Sequence, residues 1–578
     1  MAIWKKKIHV PNMEKNNALP DLVWRFLSSR VENENELESI LNPTLSELKD
    51  PLLILNMGAA VQRLIEAFEK DQKICIYADF DLDGTSGLAI LNDGLKKIGF
   101  KNVIYYQPKR LAEGYGFHPQ AVIDLSAGGV ELIITVDVGI TSFAAFEMAN
   151  KLNVDVILTD HHLPIQEQDQ EKLPKAFCIV NPNQKQDTSG LNYLCGAGVA
   201  FYLLRALKRG FFEKATLPKN DWDLKDVLDF FCIGTLTDMV PLVEDNRVLV
   251  KHGMKALQNT TKPGLRELLE RLNLDNRELT SQDVSIKFAP KLNALSRMES
   301  DVLPRDIYLE TDRDRAQGLV DKMMKNNETR QSLQASSVEK AESQLAAWPH
   351  KDFIFISSKD FHRGIIGLIA TKIANDTNKP TFIGSEDLDG MIVGSSRLPH
   401  GYDGNLVSAL ASAKTILNRF GGHAAAAGFE FSSHRISDFI FTLNKYYTDQ
   451  LLIHKEIEIE YDAEAGLAEL TQSNMKWYNF AGPYGVGFSI PIFRFNNLVL
   501  NQVKEIKGGH IKMTASEASP GDKKNQIDIL YFSPTDKNKG KLKVGQPYDI
   551  LGEIQINYFN KSETTQILMK DFISHEPK

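Results

Sequence analysis

Cysteine is scarce. Cys75, Cys178, Cys195 and Cys232 are the four in 578 residues, they lie far apart, and no two form a Cys-x-x-Cys pair. Three sit in apolar surroundings, so buried free thiols and a reducing, cytoplasmic compartment are expected. Long apolar runs are missing as well. No stretch approaches the roughly 18 residues that cross a bilayer. The charged start Met1-Ala2-Ile3-Trp4-Lys5-Lys6-Lys7 is not followed by the apolar stretch of a signal peptide, so no membrane role is expected. Nor is there a surplus of positive charge: the formal net charge is −8 and the pI about 6.0. A nucleic-acid partner would therefore need a local basic surface. Repeats and long low-complexity tracts are absent. With 43% hydrophobic and 25% charged residues the chain has an ordinary globular composition, and its length allows several domains.

What is present first is alternation. Apolar strands are expected over 73–79, 102–106, 131–137, 154–160 and 176–180, with helices such as 85–98 between them. This predicts an α/β fold with a doubly wound, mostly parallel sheet, whose ligands gather beyond the strands' carboxyl ends. Asp312 to Ala347 is rich in Lys, Gln, Glu, Ala and Leu and predicts a long connecting helix. A smaller α/β unit starts at Phe353, and short strands with polar turns from about Phe493 to Phe572 predict a β-barrel. The expected order is an N-terminal extension (1–50) packing on the first domain, that domain (51–305), a connecting helix (306–349), a smaller α/β domain (350–455) and an OB-like barrel (456–578).

The run Asp79-Phe80-Asp81-Leu82-Asp83-Gly84 ends the first apolar strand. If the strand continued, period 2 would place the three carboxylates on one face; a loop at its end could instead turn them into one pocket. Carboxylates this close repel one another unless a cation offsets them, and oxygen ligands suit Mg²⁺ or Mn²⁺. Taken alone, the motif equally fits a solvated acidic turn or a loose Ca²⁺ loop. Asp137 follows Leu132-Ile133-Ile134-Thr135-Val136, Asp160-His161-His162 follows Val156-Ile157-Leu158-Thr159, and Asp238 leaves a helix in Gly234-Thr235-Leu236-Thr237-Asp238. A lone Asp after a strand is usually a helix cap, but four acidic sites on one edge of one sheet argue against coincidence. Carboxylates and one imidazole can hold two divalent ions about 4 Å apart for phosphoryl displacement. A second His could protonate the leaving group or bind a non-bridging oxygen.

These four motifs, in this order, resemble those of the DHH phosphoesterase superfamily. Gly421-Gly422-His423-Ala424-Ala425-Ala426-Ala427-Gly428-Phe429 and Phe361-His362-Arg363-Gly364-Ile365-Ile366-Gly367 resemble segments of the associated DHHA1 domain. Length, order and a terminal barrel point within it to the RecJ family of single-strand-specific exonucleases. The resemblance implies that Asp81, Asp83, Asp137, His161 and Asp238 are metal ligands, with Asp79 a ligand or an orienter. It makes His162 the catalytic His and Asp160 the group that orients a His. It also implies that Arg110 (in Pro108-Lys109-Arg110), Arg297 (in Asn293-Ala294-Leu295-Ser296-Arg297) and Ser395-Ser396-Arg397, with His423, bind substrate and grip a terminal 5′-phosphate. Four positions depart from the family pattern: Val138 after the second-motif Asp, Ser296 and Ser396 in place of Gly, and Leu398 where Ser is common. No proposed ligand is lost.

The implied activity is 5′→3′ hydrolysis of single-stranded DNA to 5′-mononucleotides in recombination and repair, with Mn²⁺ or Mg²⁺, two ions being expected. A single-strand-binding protein and a helicase are the implied helpers, and nothing demands more than a monomer. Between Asn501 and Val544 nine lysines face five acidic residues, with Tyr531, Phe532, Tyr548 and Tyr558 among or just beyond them. An OB-like barrel with a basic groove and stacking rings would hold single strands without reading sequence. The rival readings are a phosphodiesterase for short oligonucleotides or cyclic dinucleotides, and a catalytically silent DNA-binding scaffold.

Overall fold

The computed structural model describes residues 3–8, 13–213, 222–349, 352–449, 458–517, 526–532, 534, 536–559 and 562–575. Residues 45–451 with 485–488 form one compact unit; residues 1–44, 452–484 and 489–578 form another.

In the first unit five parallel strands lie side by side: β1 (Ile74–Ala78), β2 (Val103–Tyr106), β3 (Leu132–Val136), β4 (Asp155–Thr159) and β5 (Cys178–Val180). Their spatial order is β2-β1-β3-β4-β5, all in parallel register. β1 and β3 are buried at every position, as continuous apolar runs covered on both faces should be. On one face lie α1 (Leu82–Ile98), α2 (Gly196–Glu213) and α3 (Leu228–Asp238); on the other, Pro119–Ala127 and Phe143–Lys151. The strand order reverses between β1 and β3. There the connections leave toward opposite faces and open a crevice at the carboxyl edge.

α4 (Ala289–Arg297) follows a π-helical stretch, Asp283–Phe288, and precedes α5 (Arg313–Leu345). The Asp312 side chain caps α5 by accepting from the Arg315 amide at 2.9 Å. α5 places Val320 and Met323 in the first core and Ala341 in the next, so one continuous helix joins two cores. The second sheet contains β6 (Ile354–Ser358), β7 (Thr381–Glu386), β8 (Met391–Arg397), β9 (Arg419–His423) and β10 (Ala426–Ser432), ordered β9-β10-β8-β7-β6, with α6 (Ile366–Thr377) packed on β7 and β8. β8, β9 and β10 are not legible from periodicity. Their glycines interrupt the alternation, and the reason is tertiary: a Cβ on Gly394 would lie 1.9 Å from the Phe429 ring, which packs against the bare backbone.

In the second unit Ile492–Ile506, His510–Glu517, Gln526–Tyr531, Ser562–Ser574 and Pro547–Phe559 pair in that order, and the last returns to the first, closing the OB-like ring. The sequence suggests that the whole extension, 1–50, packs on the first domain; residues 45–50 do group with that unit, whereas residues 1–44 group with this ring. Ile3–Lys6 pairs in parallel with Glu458–Tyr461, and Trp4 Nε1 donates to Asp571 at 2.8 Å. Phe26 sits edge-on to Tyr478 and Phe493, 5.9 Å from each. No local sequence signal names a partner more than 400 residues away. Phe26 is fully buried, so Phe26→Ala is expected to destabilise this unit by about 3–5 kcal/mol in denaturant unfolding. A loss of less than about 1 kcal/mol would show that the extension is not part of its core.

Of the barrel aromatics, Tyr531 and Tyr548 are core residues, whereas Phe532 is 54% exposed and its ring lies 5.0 Å from that of His510. Lys512 and Lys539 are matched by Asp528 and Glu505. Lys523, Lys524 and the turn Ser519-Pro520-Gly521-Asp522 lie outside the described residues, as do the Asp536 and Lys537 side chains.

Candidate metal centre and the arginines beside it

The acidic triplet does not continue the strand. β1 ends at Ala78, Asp81 is the N-cap of α1, and Asp83 lies in its first turn. Asp81 Oδ1 accepts from the Asp83 and Gly84 amides at 2.9 and 3.0 Å, which bends the chain back so that a loop, not a pleat, gathers the carboxylates. Gly84 is needed because a Cβ there would come 2.5 Å from the Asp79 carbonyl oxygen. Asp83 is anchored by a helix on the same face of the sheet, its two oxygens accepting from the Gly196 and Ala197 amides at 2.6 and 2.9 Å, at the start of α2. A side chain on Gly196 would strike Asp137 Cβ at 2.4 Å. Asp137 itself has φ 61°, a left-handed backbone rare outside glycine and Asn or Asp, which turns its carboxylate into the β1–β3 crevice.

His161 Nε2 lies 3.1 Å from Asp137 Oδ1, 3.6 Å from Asp238 Oδ2 and 3.9 Å from Asp83 Oδ2. Ligand atoms group as Asp83, His161 and Asp238, as Asp79, Asp81 and Asp137, and as Asp137, His161 and His162, each set within 4.8 Å. Asp79 Oδ1, Asp137 Oδ1 and His161 Nε2 are buried without a hydrogen-bond partner. Burial, then the neighbouring carboxylates, push Asp79 and Asp137 well above the usual carboxylate range and Asp238 to about 8. Burial holds His161 low, in the neutral form that ligates. Orphaned hard oxygens around a neutral imidazole fit one or two divalent cations.

Asp160 stands outside these groups. It is fully buried and accepts from the Ile140, His161 and His162 amides at 3.0, 2.8 and 3.1 Å, and it faces His162 Nδ1 at 2.8 Å. Burial works against a charged His162, but the Asp160 hydrogen bond and charge outweigh it and lift that imidazole to about 9. Two contributors have no role in the sequence reading. Gln107 Nε2 donates to the Asp79 carbonyl and Thr85 Oγ1 at 2.5 and 2.8 Å, and Tyr115 Oη lies 3.4 Å from His162 Nδ1. Only the position of Gln107 at the end of β2 could have flagged it.

Arg110, Arg297 and Arg397 converge beside the acidic centre. The Arg110 guanidinium lies 5.2 Å from the Phe80 ring centroid and feels Asp81 and Asp79. Arg297 Nη1 donates to the Gly364 carbonyl at 3.1 Å, and Arg397 Nη1 to Ser395 Oγ and the Ser396 carbonyl at 2.8 Å each. Burial, then Arg110, Arg330 and Arg397, bring Arg297 down to about 10. A Cβ on Gly367, in the first turn of α6, would lie 3.0 Å from Arg397 Nη2, so a helix N-terminus adds its amides there. Ser396 departs from expectation. Alternation along β8 turns it away from Ser395 and Arg397; it is fully buried and donates to the Ala427 carbonyl at 3.0 Å. His423 is exposed on edge strand β9, in the cross-strand row of Ala426 and Arg397.

The sequence matches the DHH family, N-terminal domain, over residues 73–235, the DHHA1 domain over 350–449 and the RecJ OB domain over 461–571. It is 30% identical to the single-stranded-DNA-specific exonuclease RecJ of Salmonella typhimurium, over 96% of this chain and 96% of that one. This chain belongs to the RecJ family. The Bacillus subtilis RecJ is 30% identical over 91% of this chain, which spans 64% of that relative's length. A crystal structure of exonuclease RecJ bound to manganese is 30% identical over 69% of this chain and 96% of that one, with a TM-score of 0.58. The Mn²⁺ complex of Thermus thermophilus RecJ superposes with a TM-score of 0.78 over 100% of this chain and 80% of that one; at 24% identity it shows the RecJ fold.

The helix carrying Arg297 is anchored at its base. Arg277 Nη1 donates to Asp283 Oδ2 at 2.8 Å, Nη2 donates to Oδ1, and Lys287 adds an ion pair at 2.9 Å. Burial opposes this charge, but Arg277 prevails and holds Asp283 at about 2. Its folded value is depressed, so the stabilisation is present above the unfolded carboxyl range near 3.8 and is lost as pH falls through about 2. Asp283→Asn should therefore lower unfolding stability at pH 7 by about 2 kcal/mol. Denaturant curves of the two proteins should converge toward pH 2; a gap that persists would refute this account.

Proposed function

We propose that this chain is a metal-dependent 5′→3′ exonuclease that degrades single-stranded DNA to 5′-mononucleotides in recombination and repair. The observation that supports this most is the position of Arg110, which belongs both to the arginine cluster and to the edge of the acidic centre. A terminal phosphate held by Arg110, Arg297 and Arg397, with Ser395 and His423 close to it, puts the next phosphodiester at the carboxylates. The strand is thereby measured one nucleotide at a time from its 5′ end.

Asp79, Asp81, Asp83, Asp137, His161 and Asp238 would hold Mn²⁺ or Mg²⁺, which when bound supply charge neutralisation on the phosphate and a water acidic enough to attack it. The chain's own groups do the rest. Asp81, which caps α1, and Asp83, held by two amides, are fixed before substrate arrives, so little reorganisation accompanies the reaction. His162, kept protonated by Asp160, donates its proton to the leaving 3′-oxygen as the P–O3′ bond breaks. The shortened strand keeps a 5′-phosphate and re-enters the arginine cluster. Domain limits at 51–305, 306–349, 350–455 and 456–578 belong to this reading. So do a cytoplasmic setting, a monomer, and help from a single-strand-binding protein and a helicase. Among the described residues no helix is long and apolar enough to cross a membrane.

The test is digestion of 5′- and 3′-labelled single strands with Mn²⁺. Wild type should release mononucleotides from the 5′ end and leave duplex intact, and Asp83→Ala should release none. Release from the 3′ end would overturn the polarity, and binding without shortening would favour a silent scaffold.

A further inference from the structure

A fourth guanidinium stands beside the three. Arg330 lies on α5, which packs against α4. Asn326 Nδ2 reaches Ser300 Oγ at 3.4 Å and Lys322 pairs with Asp301 at 3.0 Å. Arg330 is one turn beyond Asn326 on α5, Ser300 is three residues after Arg297, and the Arg330 charge acts on Arg297. Its Nη1 donates to Gln334 Oε1 at 3.0 Å and its Nη2 to Asn327 Oδ1 at 2.6 Å, both neutral amides, while its Nε is buried without a partner. Lys291, on α4, donates to the Lys287 carbonyl at 2.8 Å. Burial, then Arg330 and Lys287, hold Lys291 below the usual amine range. Among the described residues, none of Arg110, Arg297, Arg330, Arg397 and Lys291 forms an ion pair with a carboxylate.

An arginine clasped by two amides could simply brace a helix. Bracing does not explain why cations crowd one another with no carboxylate between them, an arrangement that costs stability until an anion arrives. Three arginines already match a dianionic terminal phosphate. Arg330 adds a positive charge beside Arg297 and Lys291 one beside Arg330, which suits further phosphates.

We propose that Arg330 and Lys291 form a second phosphate subsite extending the 5′-end pocket, so that the enzyme accepts single strands that begin with a 5′-di- or triphosphate. This rests on the exonuclease reading above. Water attacks the phosphodiester between the first and second nucleotides, the P–O3′ bond breaks, and the 3′-oxygen takes a proton. The products are a nucleoside 5′-di- or triphosphate and a strand with a 5′-monophosphate, which continues as an ordinary substrate.

The test compares one oligonucleotide bearing a 5′-mono- or a 5′-triphosphate, digested with Mn²⁺ by the wild-type chain, Arg330→Gln and Lys291→Gln, with the first product identified by chromatography. Wild type should release the intact nucleoside triphosphate. Each variant, with an unchanged melting temperature, should lower the ratio of triphosphate to monophosphate kcat/KM by about tenfold. If wild type leaves the triphosphate strand uncut while digesting the monophosphate strand, or if both variants lower the two rates equally, the subsite is refuted. If the monophosphate strand also survives, the exonuclease reading itself fails and takes this proposal with it.

Discussion

Asp137→Asn is expected to abolish strand degradation while making the metal-free protein harder to unfold. The two effects have one origin. Asp137 is buried, its Oδ1 has no hydrogen-bond partner, and burial followed by Asp83, Asp81, Asp79 and Asp238 pushes its carboxyl well above the ordinary range. An acid whose pKa is higher folded than unfolded costs stability at every pH above the unfolded value, so the metal-free protein bears that cost at pH 7. Asparagine removes the charge and also tolerates the left-handed backbone at φ 61°. A gain of about 1–3 kcal/mol in EDTA is expected. Mn²⁺ at about 100 times its Kd should stabilise wild type by about 2.7 kcal/mol, and the variant by clearly less. Removing a charged ligand from the reacting centre should cost at least about 10³ in kcat. Denaturant unfolding with EDTA or Mn²⁺, set beside single-turnover digestion, checks all three. A variant that is less stable in EDTA, or that keeps a tenth of the activity, would contradict the metal-centre account.

Arg397→Gln should erase the preference for a 5′-phosphate. Arg397 offers its guanidinium beside Ser395 Oγ and the first turn of α6, and burial, then Arg110, keep it below the usual guanidinium range. Losing one charged partner of a desolvated phosphate costs about 2–5 kcal/mol, so kcat/KM on 5′-phosphorylated strands should fall about 100-fold. Strands with a 5′-hydroxyl should change little, and the two substrates should converge. Because Arg397 has like-charged neighbours and no carboxylate partner among the described residues, the variant should fold as stably as wild type. Ser396→Ala is the contrast. Its hydroxyl is spent on the Ala427 carbonyl, so it should lose about 1 kcal/mol of stability and keep the preference. If Ser396→Ala loses the preference and Arg397→Gln retains it, the face assignment of β8 is wrong.

The sequence alone determined which residues stand at the carboxyl edge of the first sheet. Apolar runs that end in Asp79, Asp137 and Asp160 mark strand ends, because a strand buried on both faces must be apolar until it leaves the core. Composition located α5, a helix-favouring run that only Gly318 interrupts. Three matters needed the tertiary structure. The shape of the acidic triplet depends on Asp81 capping α1 and on Asp83 meeting the start of α2, which begins 113 residues later, so alternation had no bearing on it. The roles within Ser395-Ser396-Arg397 depend on which face of β8 meets the core, and the glycines that let Phe429 pack there hide that strand's period. The place of the N-terminal extension, and the company Arg330 keeps, arise from contacts between distant segments. Local propensity is a property of neighbours in the chain, whereas charge crowding, burial and shared cores are properties of neighbours in space, and only folding makes those known.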